Sequence, residues 1–182
     1  MKLRDSFHPY AATTILFWSL SYVLTRLVLP HFSAFSLGFL RYAAASCALL
    51  VFALFAPMRL PKRADGKWFL LSGLFGFFLY MIAFNKGCES VSASTSSVVI
   101  AIVPVLTALL ARFLYGEKLS GIRWAAIGVE FAGVAVLTLM RQALSVGGGL
   151  FWLLLASCSL AVYNLLQRKL TKTYTGPQAS SY

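Results

Sequence analysis

Six apolar stretches of about 17–23 residues follow one another along the chain, and most of its charge falls in every second connection between them. A helix needs about 20 predominantly apolar residues to cross the hydrocarbon core of a bilayer. Inside that core the backbone must satisfy its own polar groups, which a helix does within one segment. The pattern therefore predicts an all-α, polytopic membrane protein with six transmembrane helices. The expected spans are about 10–29, 35–56, 68–84, 93–115, 123–140 and 149–167. Pro9 suits the first turn of the first span, and Pro57 closes the second. Pro104 falls inside the fourth, where the loss of one ladder bond predicts a helix kink. The first apolar run is longer than the core of a cleaved signal and five more follow it, so it reads as a span.

Charge settles the expected orientation. Charged residues make up only 12% of the chain and hydrophobic ones 59%, against roughly 25% charge in a soluble domain. A net charge of +11 suits a nucleic-acid partner in principle. Here the basic residues punctuate apolar spans instead of lining a polar face, so the expected partner is the lipid bilayer and not nucleic acid. Twelve of the sixteen lysines and arginines fall on one side: Lys2, Arg4, Arg59, Lys62, Arg63, Lys67, Arg112, Lys118, Arg123, Arg168, Lys169 and Lys172. Arg26, Arg41, Lys86 and Arg141 fall on the other. Short loops rich in Lys and Arg stay in the cytoplasm. Both termini are thus predicted cytoplasmic, with residues 1–9 as the N-terminal segment and the chain in the cell (inner or plasma) membrane. Tyr10, Trp68, Tyr115 and Trp124 sit where interfacial belt residues belong.

Several chemistries find no support in the pattern. Cys47, Cys88 and Cys158 have no paired spacing, so neither a disulfide nor a zinc site is expected. Cys47 and Cys158 read as small packing residues within spans. His8 and His31 fall on opposite sides of the membrane, so no metal or catalytic site joins them, and no cofactor is expected.

The stretch NKGCESVSASTSSVVIAIVPVLTALLARFLYGEKLSGIRWAAIGVEFAGVAVL, residues 85–137, has an ordered set of features. A serine-rich run leads into a span with a central proline, a Gly-Glu-Lys turn closes it, and a Trp opens the next span. With FWSLSYVLTR in the first span and LGFLRYAAA in the second, this resembles the EamA-type repeat of the drug/metabolite transporter superfamily. The resemblance implies the first half of a ten-helix inverted-repeat transporter fold, with a substrate site between the halves near the midplane. It divides the chain into a five-helix repeat at 10–140 and the first helix of a second, incomplete repeat at 149–167. Residues 168–182 are then a cytoplasmic tail or the start of a truncated seventh helix. Sliding the first span by 142 positions places Arg26 on Arg168, Tyr22 on Asn164 and Ser36 on Gln178. A partial sequence is therefore expected over a natural six-helix transporter, and a second copy or a separate second half becomes a candidate partner.

Polar side chains inside the spans are the candidate site residues. Trp18, Ser19 and Tyr22 share helical spacing in the first span, and Tyr80 and Asn85 lie toward the outer end of the third. With Ser96, Tyr163 and Asn164 they could line a substrate pathway or simply join helices by hydrogen bonds. The run SASTSS, 92–97, offers hydroxyls that cap a helix start and small side chains for close packing, or a positive helix end for an anionic group. Glu130 is a carboxylate within the fifth span, which must be protonated, paired or wet. It is either a proton-coupling or substrate-contact group, or the ion-pair partner of Arg112. Arg41 either snorkels outward or pairs with Glu89, or it attracts anions at the outer mouth. Pro104 supplies a gating bend or a structural kink.

The function these readings support is a transporter, or part of one. It would move small metabolites, amino-acid-like or amphipathic compounds across the inner membrane by alternating access, with export as the direction the resemblance implies. The alternatives are a non-catalytic membrane assembly or scaffold protein and an intramembrane enzyme. The enzyme is disfavoured because no histidine lies within a span and no GxSxG, HExxH or Asp-rich metal motif occurs.

Overall fold

A computed structural model describes residues 7–55, 61–140 and 148–181. Lys2, Arg4, Pro57, Arg59, Arg141 and Tyr182 lie outside the described residues, as do the side chains of His8 and Tyr10. The described residues are helical, with no strand among them. In chain order the elements are α1 (Phe7–Val28), α2 (Ala34–Phe55), a 3-10 turn (Arg63–Asp65), α3 (Gly66–Gly73), a π-helical stretch (Leu74–Leu79) and α4 (Tyr80–Ser90). After these come α5 (Ala93–Ala101), α6 (Val103–Tyr115), α7 (Gly121–Met140), α8 (Gly148–Leu170) and the short α9 (Gly176–Ser181).

Five stretches among the described residues are long and apolar enough to cross a membrane: Ala11–Val28, Ala34–Phe55, Arg63–Ser90, Ala93–Tyr115 and Gly148–Leu170. The place of the expected span at 123–140 is taken by α7, which carries Arg123 and Glu130 and is not one of the five. The third span outruns its expected end at residue 84 and continues to Ser90. Two contacts hold those extra turns. Lys86 and Glu89 pair one turn apart at 3.1 Å, and Gly87 seats against α8.

Helix α8 is the hub of the bundle. It packs along α3, the π-helical stretch, α4, α5 and α6, and it buries Leu153, Ala156, Ala161 and Ser157 completely. Without a hydrophobic driving force between helices in lipid, close backbone approach at small residues carries the packing. The α4–α8 seam has that character. A Cβ built on Gly87 would stand 3.1 Å from the Gly149 carbonyl oxygen, and one on Gly149 would stand 3.2 Å from the Gly87 carbonyl. Further along, a Cβ on Gly76 would lie 2.1 Å from a ring carbon of Tyr163. That glycine sits in the π-helical stretch, so the widened turn is where the Tyr163 ring is received. Ser157 ties α8 to α5 as well, donating from Oγ to the Val99 carbonyl at 3.2 Å.

The fourth span breaks between α5 and α6 at Ile102, whose amide bonds three residues back to Val99 at 3.4 Å. Pro104, two residues on, has no amide to continue the ladder. Ser92 caps the start of this span, its Oγ accepting from the Thr95 amide at 3.2 Å. Gly116, at φ 66°, closes α6 in the left-handed conformation that the Gly-Glu-Lys turn requires. The outer faces of α1, α2 and α7 carry large exposed apolar side chains, as a lipid-facing surface does. Cys47 and Cys158 do lie within spans, in α2 and α8, but both are exposed there and are not packed residues; Cys88 is the buried thiol.

Candidate substrate pathway

One seam inside the bundle is polar. Along α1, Trp18, Ser21, Tyr22 and Thr25 recur at the i, i+3, i+4, i+7 spacing of one helix face. Arg41 of α2 turns toward that face. Its Nη2 donates to Ser21 Oγ at 2.7 Å and its Nη1 to Thr25 Oγ1 at 3.0 Å. The expected pairing of Arg41 with Glu89 is thereby overturned, since Glu89 is held by Lys86. Opposite stands α4. The Trp18 side chain adjoins Tyr80, Tyr22 meets Phe84 edge-on at 5.5 Å, and Tyr80 stacks on Phe84 at 5.7 Å. A second ring series runs from Tyr42 through Phe77, at 5.4 Å, to Tyr163 of α8, at 5.7 Å. Asn85, wholly buried, donates from Nδ2 to the Ala34 carbonyl at 2.8 Å, while its Oδ1 has no partner among the described residues.

Of the residues the sequence singles out, Trp18, Tyr22, Tyr80 and Arg41 thus come together, and Tyr163 adjoins them through Phe77. Ser19 does not join them; it stays on the exposed side of α1, in a groove with Ala12, Ile15 and Leu16. Ser96 is buried at the α4–α5 corner, accepting from the Cys88 thiol at 3.5 Å and donating to the Ser92 carbonyl at 3.0 Å. Asn164 faces away from the seam, into a cleft of about 410 Å³ between α6 and α8 that Pro104 and Thr107 also line. Its Nδ2 lies 3.4 Å from Thr107 Oγ1. The expected Glu130–Arg112 pair does not form. Arg112 lies over the Trp124 ring at 5.9 Å, and half-buried Glu130 has no ion pair or hydrogen bond among the described residues. Ser21, Thr25 and Tyr42 were not singled out by sequence. Ser21 and Thr25 could have been, because they complete the polar stripe that Trp18 and Tyr22 begin.

Each end of the bundle is tied across helices. At the basic end Arg168 bridges Glu117 at 2.7 Å, and that guanidinium holds the Glu117 carboxyl below its ordinary range. Tyr174 donates to Asp65 Oδ2 at 2.7 Å and accepts from the Lys62 amide at 3.0 Å; the Asp65 hydrogen bond pushes its phenol pKa up. Lys169 sits 3.4 Å above the Trp68 ring. At the opposite end Arg26 of α1 donates to the Cys88 and Glu89 carbonyls, neutralising the C-terminus of α4.

A helical bundle with five spans long and apolar enough to cross a membrane, a half-buried polar and aromatic seam, and ties at both ends fits a membrane transporter. The chain belongs to the EamA-like transporter family, which it matches over residues 7–139. It is 29% identical to an uncharacterized transporter of Bacillus subtilis over 86% of this chain and 52% of that protein. It is 30% identical to a probable terminal-alkyne amino-acid exporter of Streptantibioticus cattleyicolor, over 93% of this chain and 57% of that protein. It is 26% identical to an S-adenosylmethionine uptake transporter of Rickettsia prowazekii, over 83% of this chain and 51% of that one. The chain spans about half the length of these curated relatives. No solved structure matches it.

Proposed function

We propose that this chain moves small amphipathic or amino-acid-like metabolites across the cell membrane by alternating access, in the export direction, along the seam between α1, α2 and α4. The observation that carries the reading is Arg41 with Ser21 and Thr25, a charged and hydroxylated cluster set among Trp18, Tyr22 and Tyr80 inside apolar spans. Intramembrane ionisable groups are costly and mark transport routes. Two relatives are named for the transport of an amino acid and of S-adenosylmethionine. The termini are cytoplasmic on this reading, so the basic end is the inner gate, tied by Glu117–Arg168 and Asp65–Tyr174. The outer gate is tied by Arg26. Release of one set of ties while the other holds, with bending at Ile102–Pro104, exchanges access.

Residues 10–140 act as the first five-helix unit and α8 opens the second. In support, α8 and α9 repeat the spacing of α1 and α2: Val28 and Leu170 end their helices, and Ala34 and Gly176 begin the next, both at an offset of 142 positions. A second half, or a second copy, completes the route. Reconstitution into proteoliposomes tests the function. Saturable, substrate-specific counterflow of amino acids is expected; flux no greater than that of protein-free liposomes would refute it.

A further inference from the structure

We infer that Arg41 is a seat for a carboxylate, so that the compounds entering the seam bear an acid group for which this guanidinium is the counter-ion. The inference rests on the transporter reading and adds to it the chemistry of the substrate. Its basis is the charge balance around one side chain. Arg41 lies seven residues into α2, about 10 Å along the axis. Both of its hydrogen-bond partners, Ser21 and Thr25, are neutral. Among the described residues no carboxylate reaches it. Glu89 is taken by Lys86, Glu117 by Arg168, and Asp65 by the Tyr174 hydroxyl, while Glu130 lies on α7. A permanent cation is therefore held within an apolar span by two neutral hydroxyls, with no counter-ion among the described residues.

The two hydroxyls fix the head without using it up. A guanidinium has five N–H donors in a planar fork, of which two are taken here. The remainder match the paired oxygens of a carboxylate, and such charge-assisted pairs are about twice as strong as neutral ones. The head is turned across the α1–α2 pair, with both of its acceptors on α1: Ser21 at about the depth of Arg41 and Thr25 one turn nearer the helix end. Trp18, Tyr22 and Tyr80 beside it offer flat apolar surface for the body of an acid whose charged end sits on Arg41.

Binding to the full chain in nanodiscs, read by saturation-transfer NMR, tests this. The probes are an equimolar mixture of leucine, phenylalanine, 4-methylpentanoate and 3-phenylpropionate, and the amides of all four. The acids should bind and their amides should not. Arg41→Gln should weaken acid binding roughly 10–100-fold, the range of one hydrogen bond to a charged group, and Arg41→Lys should restore part of it in an equally folded protein. Acid binding unchanged in Arg41→Gln, or acids no better than amides on the wild type, would overturn the inference and leave the transporter reading standing if counterflow of uncharged compounds persists. An anionic lipid headgroup, whose phosphate is not balanced by a choline, shares this chemistry. Discs of phosphatidylcholine with and without phosphatidylglycerol separate the two, since acid binding abolished by phosphatidylglycerol would assign the seat to lipid and also overturn the proposal.

Discussion

Gly87→Ala places a methyl group where α4 and α8 are closest. The new Cβ would stand 2.5 Å from Leu153 Cγ and 3.1 Å from the Gly149 carbonyl oxygen. Leu153 is fully buried, and the carbonyl is backbone. Ordinary contact therefore requires the helices to part by about 1 Å, and a gap of that order forfeits a quarter to a half of the dispersion well across the seam. Overpacking of a close-fitted core costs about 1–3 kcal/mol, and a rigid obstacle places this site near the top. Alanine regains about 1 kcal/mol of helix propensity over glycine. The net expectation is a loss of about 2 kcal/mol. Gly128→Ala on α7 is the control, because a Cβ there meets nothing within 4 Å; only the propensity gain of about 1 kcal/mol remains. Reversible unfolding in mixed dodecyl maltoside and sodium dodecyl sulfate, followed by far-UV circular dichroism, measures both. The two variants should move in opposite directions. A Gly87→Ala protein as stable as the wild type would refute the α4–α8 packing described above.

Three further outcomes are expected. Arg168 lowers the folded-state pKa of Glu117, so their tie is complete at neutral pH and is lost as pH falls through that lowered value. Spin labels at Leu119→Cys and Thr171→Cys should show a narrow distance distribution at pH 7 that broadens in strong acid, and a broad one at both pH values in Glu117→Gln. Tyr174→Phe removes the donor to Asp65 and should cost about 1–2 kcal/mol in the same unfolding assay. Pro104→Ala supplies an amide to the ladder at the Ile102 break; spin labels either side of residue 102 should move apart as the span straightens, and counterflow should slow.

Five of the six expected spans were legible in the sequence because their length and apolarity answer to the bilayer alone; the stretch at 123–140, with Arg123 and Glu130, is not among the five apolar enough to cross. Helix bounds at Ala34, Phe55, Ala93 and Tyr115 fall within a residue of the expected ones. The proline break and the Ser92 cap were legible too, since each depends on chemistry within one turn. The end of α4 was not. Lys86 and Glu89 look like loop charges until they are seen to pair on the helix surface. The π-helical stretch at Leu74–Leu79 was invisible as well; the ring that packs on its Gly76, Tyr163, comes from α8, 87 residues away. Arg41 shows the same limit. Its residue type announced a costly intramembrane cation, but its partners depend on how α1 and α2 are rotated about their axes. For that reason Glu89, a plausible neighbour by topology, gave way to Ser21 and Thr25.

That the seam beside Arg41 is a transport path open in turn to each side of the membrane is tested most directly by the accessibility of one position within it. Ser21→Cys, nearly isosteric and half-buried, would be placed in a chain with Cys47, Cys88 and Cys158 replaced by alanine. It would then be treated with a membrane-impermeant maleimide in right-side-out and in inside-out vesicles. Labelling from both faces, slowed by added phenylalanine, is expected; labelling from one face only, or from neither, would contradict the account.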